Sequence, residues 1–314
     1  MKPDVHVREM LARSFWLVVQ PVLPLVSALF LLFMGMLSRV SERSAFLLAR
    51  WLVPIVLSVF HSRRMANFRR AFGHQQLSHK QYRLLNRKHL TYMSEFVAHV
   101  ARLTVTSCEE FKKGVLLEGE EHVVAALKLG RGVLLLGCHL SNWLHSLCTL
   151  SVLGYPVSTV TKQVPVRGIE SFLQSLMQRF NVRSSHTGNG ALQAAGEVFG
   201  NNEILGLYLD ISTQPNHAVW LPCGTALQRI DIGPAILALR YGAPVLLVSC
   251  TVLHDHRTIV TITPAVGFLP VGDVATDAKQ LLSLWLKMFY AEFQKRPEQW
   301  WPWSFITRTQ LREG

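Results

Sequence analysis

The sequence predicts an α/β domain, a mainly parallel central sheet flanked by helices, behind an N-terminal membrane helix. Three observations carry that prediction. From residue 115 onward, short apolar runs alternate with segments of helical periodicity, the pattern of crossover units that build parallel sheets. Residues 15–37 form an uncharged apolar stretch, long enough to cross a hydrocarbon core of about 30 Å. The 314-residue chain carries 32 Lys and Arg against 20 Asp and Glu, with a mean hydropathy of +0.23 and a pI near 9.8. A chain both basic and apolar fits an anionic membrane surface or acidic partners, and not a nucleic acid.

The N-terminal elements follow from charge and apolarity. Lys2, Arg8 and Arg13 precede the apolar stretch and Arg39, Arg43 and Arg50 follow it, so the flanking charges set no orientation. Pro21 and Pro24 leave a helical hairpin or an interfacial segment open beside a straight span. Residues 61–72 read HSRRMANFRRAF, four arginines among Met65, Phe68 and Phe72. That pattern predicts an amphipathic basic helix on phospholipid headgroups, rather than an ordinary solvated helix with an apolar stripe. A membrane anchor over 1–60 and a catalytic domain over 61–314 are expected.

Periodicity then predicts a helix over 84–103, a strand over 115–119, and a helix over 122–129 that ends at Gly130. A buried strand is expected over 132–137, a helix over 142–150 and a strand over 155–161. Helices over 168–180 and 190–199 follow, then a strand over 204–209 ending at Asp210. A helix over 232–241, strands over 244–253 and 257–264 in antiparallel register, and a long helix over 275–296 complete the chain. The five cysteines, Cys108, Cys138, Cys148, Cys223 and Cys250, show no CxxC spacing. They read as reduced thiols, with no metal and no cofactor expected.

Chemistry is expected where strands stop. In open α/β sheets, ligands bind beyond the carboxyl ends of the strands. His139 and Asp210 both stand at such ends. An imidazole there can take a proton from a hydroxyl and let it attack a carbonyl. Asn142 is expected to open the next helix, whose free N–H groups stabilise negative charge. One histidine among thirteen is weak evidence by position alone.

Competing motifs fall away. No Gly-x-Ser-x-Gly elbow supports serine hydrolysis. Gly188-Asn189-Gly190 lacks the Gly-Lys-Ser/Thr ending of a phosphate loop. His254-Asp255-His256 reads as a hairpin tip before a metal site, because alternate strand residues face opposite ways. Trp300, Trp301 and Trp303 beside Pro302 are expected at a membrane interface ahead of capping the core.

The chain resembles the lipid A late acyltransferases of the lysophospholipid acyltransferase superfamily. The family's His-Phe-Gly-Asn-Trp-Glu is met here by His139-Leu140-Ser141-Asn142-Trp143-Leu144. Its Asp-Gln strand end is met by Leu209-Asp210 with Gln214 displaced, and its Phe-Phe-Gly by Leu221-Pro222-Cys223-Gly224. Its Thr-Gly-Pro-Ala and Gly-Ala-Pro-Val are met by Ile232-Gly233-Pro234-Ala235 and Gly242-Ala243-Pro244-Val245. Pro297-Glu298-Gln299-Trp300-Trp301 matches the C-terminal Pro-Glu-Gln-Trp. The order is collinear over nearly the whole chain.

The resemblance implies an enzyme at the inner membrane, its active site facing the cytoplasm. It implies transfer from an acidic acyl carrier protein thioester to a hydroxyl of lipid A. His139 and Asp210 are the implied catalytic pair. Asn142, Arg167, Arg179, Arg183, Gly224 and Arg229 flank the crevice as candidates for substrate contact, the arginines for phosphates or sugar acids.

One departure matters. The family's residue five after the histidine is Glu or Asp, which orients the imidazole; here it is Leu144. Asp210 can replace that carboxylate, the donor can have changed, or catalysis can have been lost to leave a lipid A binder. A divergent branch of the superfamily transfers glycine from a dedicated carrier protein to lipid A, which weakens cationic peptide attack. A glycyl thioester carries an ammonium near its carbonyl and needs less base activation. Glycyl transfer therefore leads, with fatty acyl transfer as the alternative.

Overall fold

Five consecutive buried residues, Val133–Gly137, form the strand about which the molecule is built. Val133 and Leu135 enter one hydrophobic cluster while Leu134 and Leu136 enter another, because successive strand side chains face opposite ways. A strand apolar on both faces must be covered on both faces. The computed structural model describes residues 20–314 except 165, 189, 213–217, 224–225, 254–256, 308–309 and 314.

In chain order the helices before the sheet are α1 (Leu23–Arg39), α2 (Glu42–Ser58), α3 (His61–Phe72), α4 (His79–Leu103) and α5 (Cys108–Lys113). The alternating part runs β1 (Val115–Glu118), α6 (Glu120–Leu127), β2 (Val133–Gly137), α7 (Leu144–Val152), β3 (Val157–Thr161), α8 (Arg167–Arg179), β4 (Arg183–His186), α9 (Ala191–Gly200) and β5 (Ile204–Tyr208). Then come β6 (Ala218–Cys223), β7 (Ala226–Asp231), α10 (Gly233–Tyr241), β8 (Val245–Val252), β9 (Thr258–Ile262), α11 (Val274–Lys295) and β10 (Leu311–Glu313).

The main sheet has the order β1-β9-β8-β2-β5-β3-β4. Every neighbouring pair is parallel except β8 and β9. The expected α/β class with a mainly parallel sheet is therefore observed, including the antiparallel step between the strands near 250 and 260. Residues of α1, α2, α4, α7 and α8 join the cluster on one face, and residues of α3, α9, α10 and α11 the cluster on the other. A second sheet, β10-β7-β6, is antiparallel and was not expected; nor were β4 and α5.

The N-terminal helices each carry two faces. Ala45, Ala49, Val53 and Leu57 of α2 are buried, a stripe at four-residue spacing that packs into the core. Trp51, Ile55, Val56 and Val59 are exposed, as are Leu25, Leu29 and Leu32 of α1. Among the described residues no single helix is long and apolar enough to cross a membrane, while α2 and α3 together meet the length and composition with a bend of 84°. Lys2, Arg8, Arg13 and the start of the apolar stretch lie outside the described residues.

Two sequence expectations are corrected here. The basic helix α3 does not lay its apolar stripe on an external surface: Phe68 and Phe72 are buried against Trp303. Arg64 is itself buried and donates to Asn86 Oδ1 (2.7 Å), Leu57 O (3.2 Å) and Ser304 Oγ (3.0 Å). Two of the three tryptophans are likewise interior: Trp300 and Trp303 are buried and stack edge-on at 4.7 Å, while Trp301 is partly exposed. An amphipathic helix and an aromatic run serve a core as readily as a bilayer.

Candidate active site

The site begins with the end of β2. The strand stops at Gly137, where an added Cβ would meet the Tyr208 ring at 2.9 Å. The chain then turns through Cys138, His139 and Leu140. Leu140 is bridged to Trp300, and His139 O accepts from Trp301 N (2.9 Å). Ser141 follows at φ +56°, in the left-handed region that the resembling motif fills with glycine. Its carbonyl accepts from Tyr92 Oη (2.9 Å). The C-terminal segment and α4 thus clamp the loop that carries the histidine.

Asp210 sits two residues past the neighbouring strand β5 and is wholly buried. Its Oδ1 lies 2.8 Å from His139 Nδ1. Its Oδ2 accepts from His139 N (2.9 Å) and from Trp300 Nε1 (2.7 Å). Gln228 Nε2 of β7 donates to Asp210 O (2.7 Å). A buried carboxylate with three donors is compensated for its lost hydration. It selects the tautomer with the proton on Nδ1, leaving Nε2 as the basic nitrogen. No described residue hydrogen-bonds Nε2. The ring is held by Trp143 (centroids 4.5 Å), Tyr208 (4.9 Å) and Trp301 (5.7 Å), and its side chain stays 16% exposed.

The surrounding titratable groups are held neutral. Burial pushes the Tyr208 phenol well above its ordinary range, and Tyr92 likewise, with Asp210 adding to it. Both therefore act as donors. Tyr208 Oη donates to Trp143 O (2.9 Å). Burial, then Asp210, pushes the Cys138 thiol far up, so no thiolate nucleophile stands beside the histidine.

The other expected site residues are dispersed. Leu144 is buried in the core at the start of α7. Asn142 lies before that helix instead of opening it; it is buried, and its Nδ2 reaches Thr258 Oγ1 at 3.3 Å. Arg167 opens α8, exposed, on the carboxyl edge of the sheet. Arg179 closes α8 at the opposite edge, where Nε donates to Thr106 O (2.9 Å). Arg183 shares that far edge and pairs with Glu203. Arg229 stands in β7 opposite Trp220, next to the Gln228 that supports Asp210. Gly224, Gln214 and His254-Asp255-His256 lie outside the described residues. Trp300 was missed as a site residue: it is 90 positions from Asp210, and no local pattern signals the pairing.

A cavity of about 160 Å³ adjoins this loop, lined among others by Cys138, Trp143, Ser146, Tyr208, Trp285 and Phe289. An imidazole backed by a buried carboxylate, beside a cavity at the carboxyl edge of a sheet, is an arrangement suited to proton removal from a hydroxyl.

No curated protein matches the chain. The bacterial lipid A biosynthesis acyltransferase family matches residues 19–303. The chain belongs to that family, and is an acyltransferase of lipid A biosynthesis.

Proposed function

We propose that the protein moves a thioester-borne group from an acidic carrier protein to a hydroxyl of lipid A, with His139 as general base and Asp210 as the carboxylate that orients it. The observation that carries this is the 2.8 Å contact between His139 Nδ1 and Asp210 Oδ1. The acceptor hydroxyl gives its proton to His139 Nε2 as its oxygen bonds to the thioester carbonyl carbon. The C–S bond then breaks, and the carrier thiolate leaves with the proton returned by the imidazolium. Asp210 supports the imidazolium between those two events.

Two donors suit this chemistry, a glycyl and a fatty acyl thioester. Asp210 weakens the original argument for glycine, because a base with its carboxylate needs no specially activated donor. Glycyl transfer keeps its lead on a different ground. Glu292 lines the cavity beside the loop and offers a counter-charge for a glycyl ammonium, although it also pairs with Lys295 and Arg296. A glycine added to lipid A places a positive charge on the lipid and opposes cationic antimicrobial peptides.

The working location is the cytoplasmic face of the inner membrane. The support is the exposed apolar face of α1 and α2, beside the basic residues Arg39, Arg43 and Arg50. Mass spectrometry of lipid A from cells with the wild-type gene, without it, or with His139→Ala tests the proposal. A glycine-sized mass increment that needs His139 is expected. A long-chain increment would move the donor to fatty acyl. Full modification by the alanine variant would remove His139 from the mechanism.

A further inference from the structure

The charge of the chain is unevenly placed. Residues 43–94 hold ten of the 32 Lys and Arg and none of the 20 Asp and Glu. That one segment carries ten of the net charge of +12, and the rest of the chain is nearly balanced. Eight of the ten fall within residues 63–88, on α3 and the first half of α4. Each of these helices has an inner and an outer side. On the inner side Arg64 donates to Ser304 Oγ (3.0 Å), Asn67 Nδ2 donates to Trp303 O and Ile306 O (both 3.0 Å), and His89 Nδ1 meets Glu298 O at 2.9 Å. The two helices thus grip the segment that brings Trp300 to Asp210 and Trp301 to His139.

On the outer side Arg63, Arg69, Lys80, Arg83, Arg87 and Lys88 are exposed. Among the described residues none of the six is paired with a carboxylate. Lys80, Arg83 and Arg87 recur at spacings of three and four, which aligns them along one stripe of α4. Lys88 stands about 6 Å along the axis before Tyr92, whose hydroxyl holds the histidine loop. This ridge is charged without being apolar. Among the described residues, Leu84 is the one large apolar side chain exposed between 60 and 104, against thirteen from Val22 to Val59. A helix that enters a bilayer interface turns an apolar face to the lipid, and the ridge has no such face. Its chemistry suits a soluble acidic surface, steered in from a distance and held by charge.

We propose that the acidic carrier protein docks on this ridge, the outer side of α3 and of the first half of α4. This rests on the carrier-borne donor of the proposed function. A carrier bound there lies against the two helices that hold the C-terminal segment and the His139 loop, and its thioester arm extends from the ridge to the imidazole. The contact is electrostatic, so it speeds encounter and lowers KM for the carrier thioester while leaving the bond-making step alone. The exposed apolar side chains of α1 and α2 form a separate surface.

The test is charge reversal in the full chain in detergent micelles. Arg83→Glu combined with Arg87→Glu leaves the inward Tyr82 and His89 untouched, and Lys80→Glu alone is the milder variant that serves if the double one does not fold. With lipid A precursor and glycyl or tetradecanoyl acyl carrier protein, KM for the carrier thioester is expected to rise about 10- to 100-fold at low salt, with kcat within about twofold. The ratio to wild type is expected to shrink toward one at about 1 M salt, where charges are screened beyond about 3 Å. The matching pantetheine thioesters, which lack the protein, are expected to be used equally by variant and wild type. Affinity for a fluorescently labelled glycyl carrier protein is measured beside turnover. Equal KM and equal carrier affinity in the folded double variant would overturn the docking surface. Weaker sedimentation with phosphatidylglycerol vesicles at unchanged carrier affinity would also overturn it, and make the ridge a lipid headgroup surface. Absence of turnover by the wild type from every donor removes the transferase reading of His139, and the affinity comparison still decides the ridge.

Discussion

His139 Nδ1 and Asp210 Oδ1 meet at 2.8 Å across 71 positions of sequence. The contact joins the ends of β2 and β5, which pair in parallel from Val133↔Ile204 to Gly137↔Tyr208. Strand register therefore delivers the carboxylate to the imidazole. Asp210→Asn keeps the shape but no longer favours the Nδ1-protonated tautomer. We expect kcat to fall by about 10⁴-fold, as when a triad acid becomes its amide, with KM for the lipid little changed. Steady-state kinetics on both substrates checks this; an unaltered kcat would leave the missing carboxylate at Leu144 without a replacement.

Trp300 supplies the third donor to that carboxylate. Trp300→Phe keeps an aromatic ring against Trp303 and Phe293 but deletes the 2.7 Å bond from Nε1 to Asp210 Oδ2. A buried acceptor that loses a partner costs about 1–3 kcal/mol. We expect that loss in the thermal or denaturant midpoint, together with about tenfold lower kcat from a looser carboxylate. A drop in stability with kcat intact would make Trp300 a packing residue only.

Much of this was legible in advance, for definite physical reasons. The fully buried β2 and the half-buried β5 announce themselves as apolar runs, and punctuation by Gly137 and Asp210 marks where they end. The positions of His139 and Asp210 at adjacent carboxyl ends follow from the topology class. The small sheet was not legible, because β7 alternates correctly but uses Gln228 as one of its buried residues. That glutamine is buried to reach Asp210 O, a reason that exists only in three dimensions. β4 reads Arg-Ser-Ser-His on the sheet edge and carries no apolar signal. Trp300 and α3 were misassigned for a shared reason: composition reports that a face is apolar, but not whether lipid or protein covers it.

Arg64 gives a direct measure of the corrected place of α3. Its three bonds join the end of α2, the side chain of Asn86 in α4 and Ser304, and Ser304 lies just after the Trp300–Trp301 segment that bridges Leu140 and His139. Arg64→Ala leaves those acceptors unpaired inside the protein, so a destabilisation of about 2–4 kcal/mol is expected. Arg63→Ala, at an exposed neighbour, is expected to stay within about 0.5 kcal/mol. Equal denaturant midpoints for the two variants would restore α3 to the surface role.

Two buried histidines set an acid limit. Burial lowers His89 to about 3 from 6.5, while its Nδ1 pairs with Glu298 O at 2.9 Å. Burial, then the neighbouring His99 at 3.0 Å, carries His145 well below its ordinary value. Both are neutral when folded and gain a proton when unfolded below about pH 6.5. The unfolded chain then binds more protons, so their contribution is complete above pH 6.5 and declines as pH falls below it, for His89 down to about 3. Each group adds about 1.4 kcal/mol per pH unit to that slope. His89→Gln is expected to flatten the pH dependence of unfolding by about one such increment. An identical slope in the variant would mean that His89 titrates alike in both states.

The exposed face of α2 separates membrane attachment from folding. Trp51 and Ile55 of α2, and Val59 just past its end, are exposed, while Ala49, Val53 and Leu57 hold the helix in the core. Aspartate at the three exposed positions therefore leaves the packed stripe untouched. If this face lies in lipid, each lost apolar side chain removes about 1.5–3 kcal/mol of burial. The triple variant should then bind phosphatidylglycerol vesicles roughly 100-fold more weakly or worse, while its unfolding midpoint stays near that of the wild type. Vesicle sedimentation at two salt concentrations divides apolar from electrostatic attachment, since the basic flanks Arg39, Arg43 and Arg50 respond to salt and the apolar face does not. Undiminished sedimentation of the folded triple variant would move the attachment site off α2.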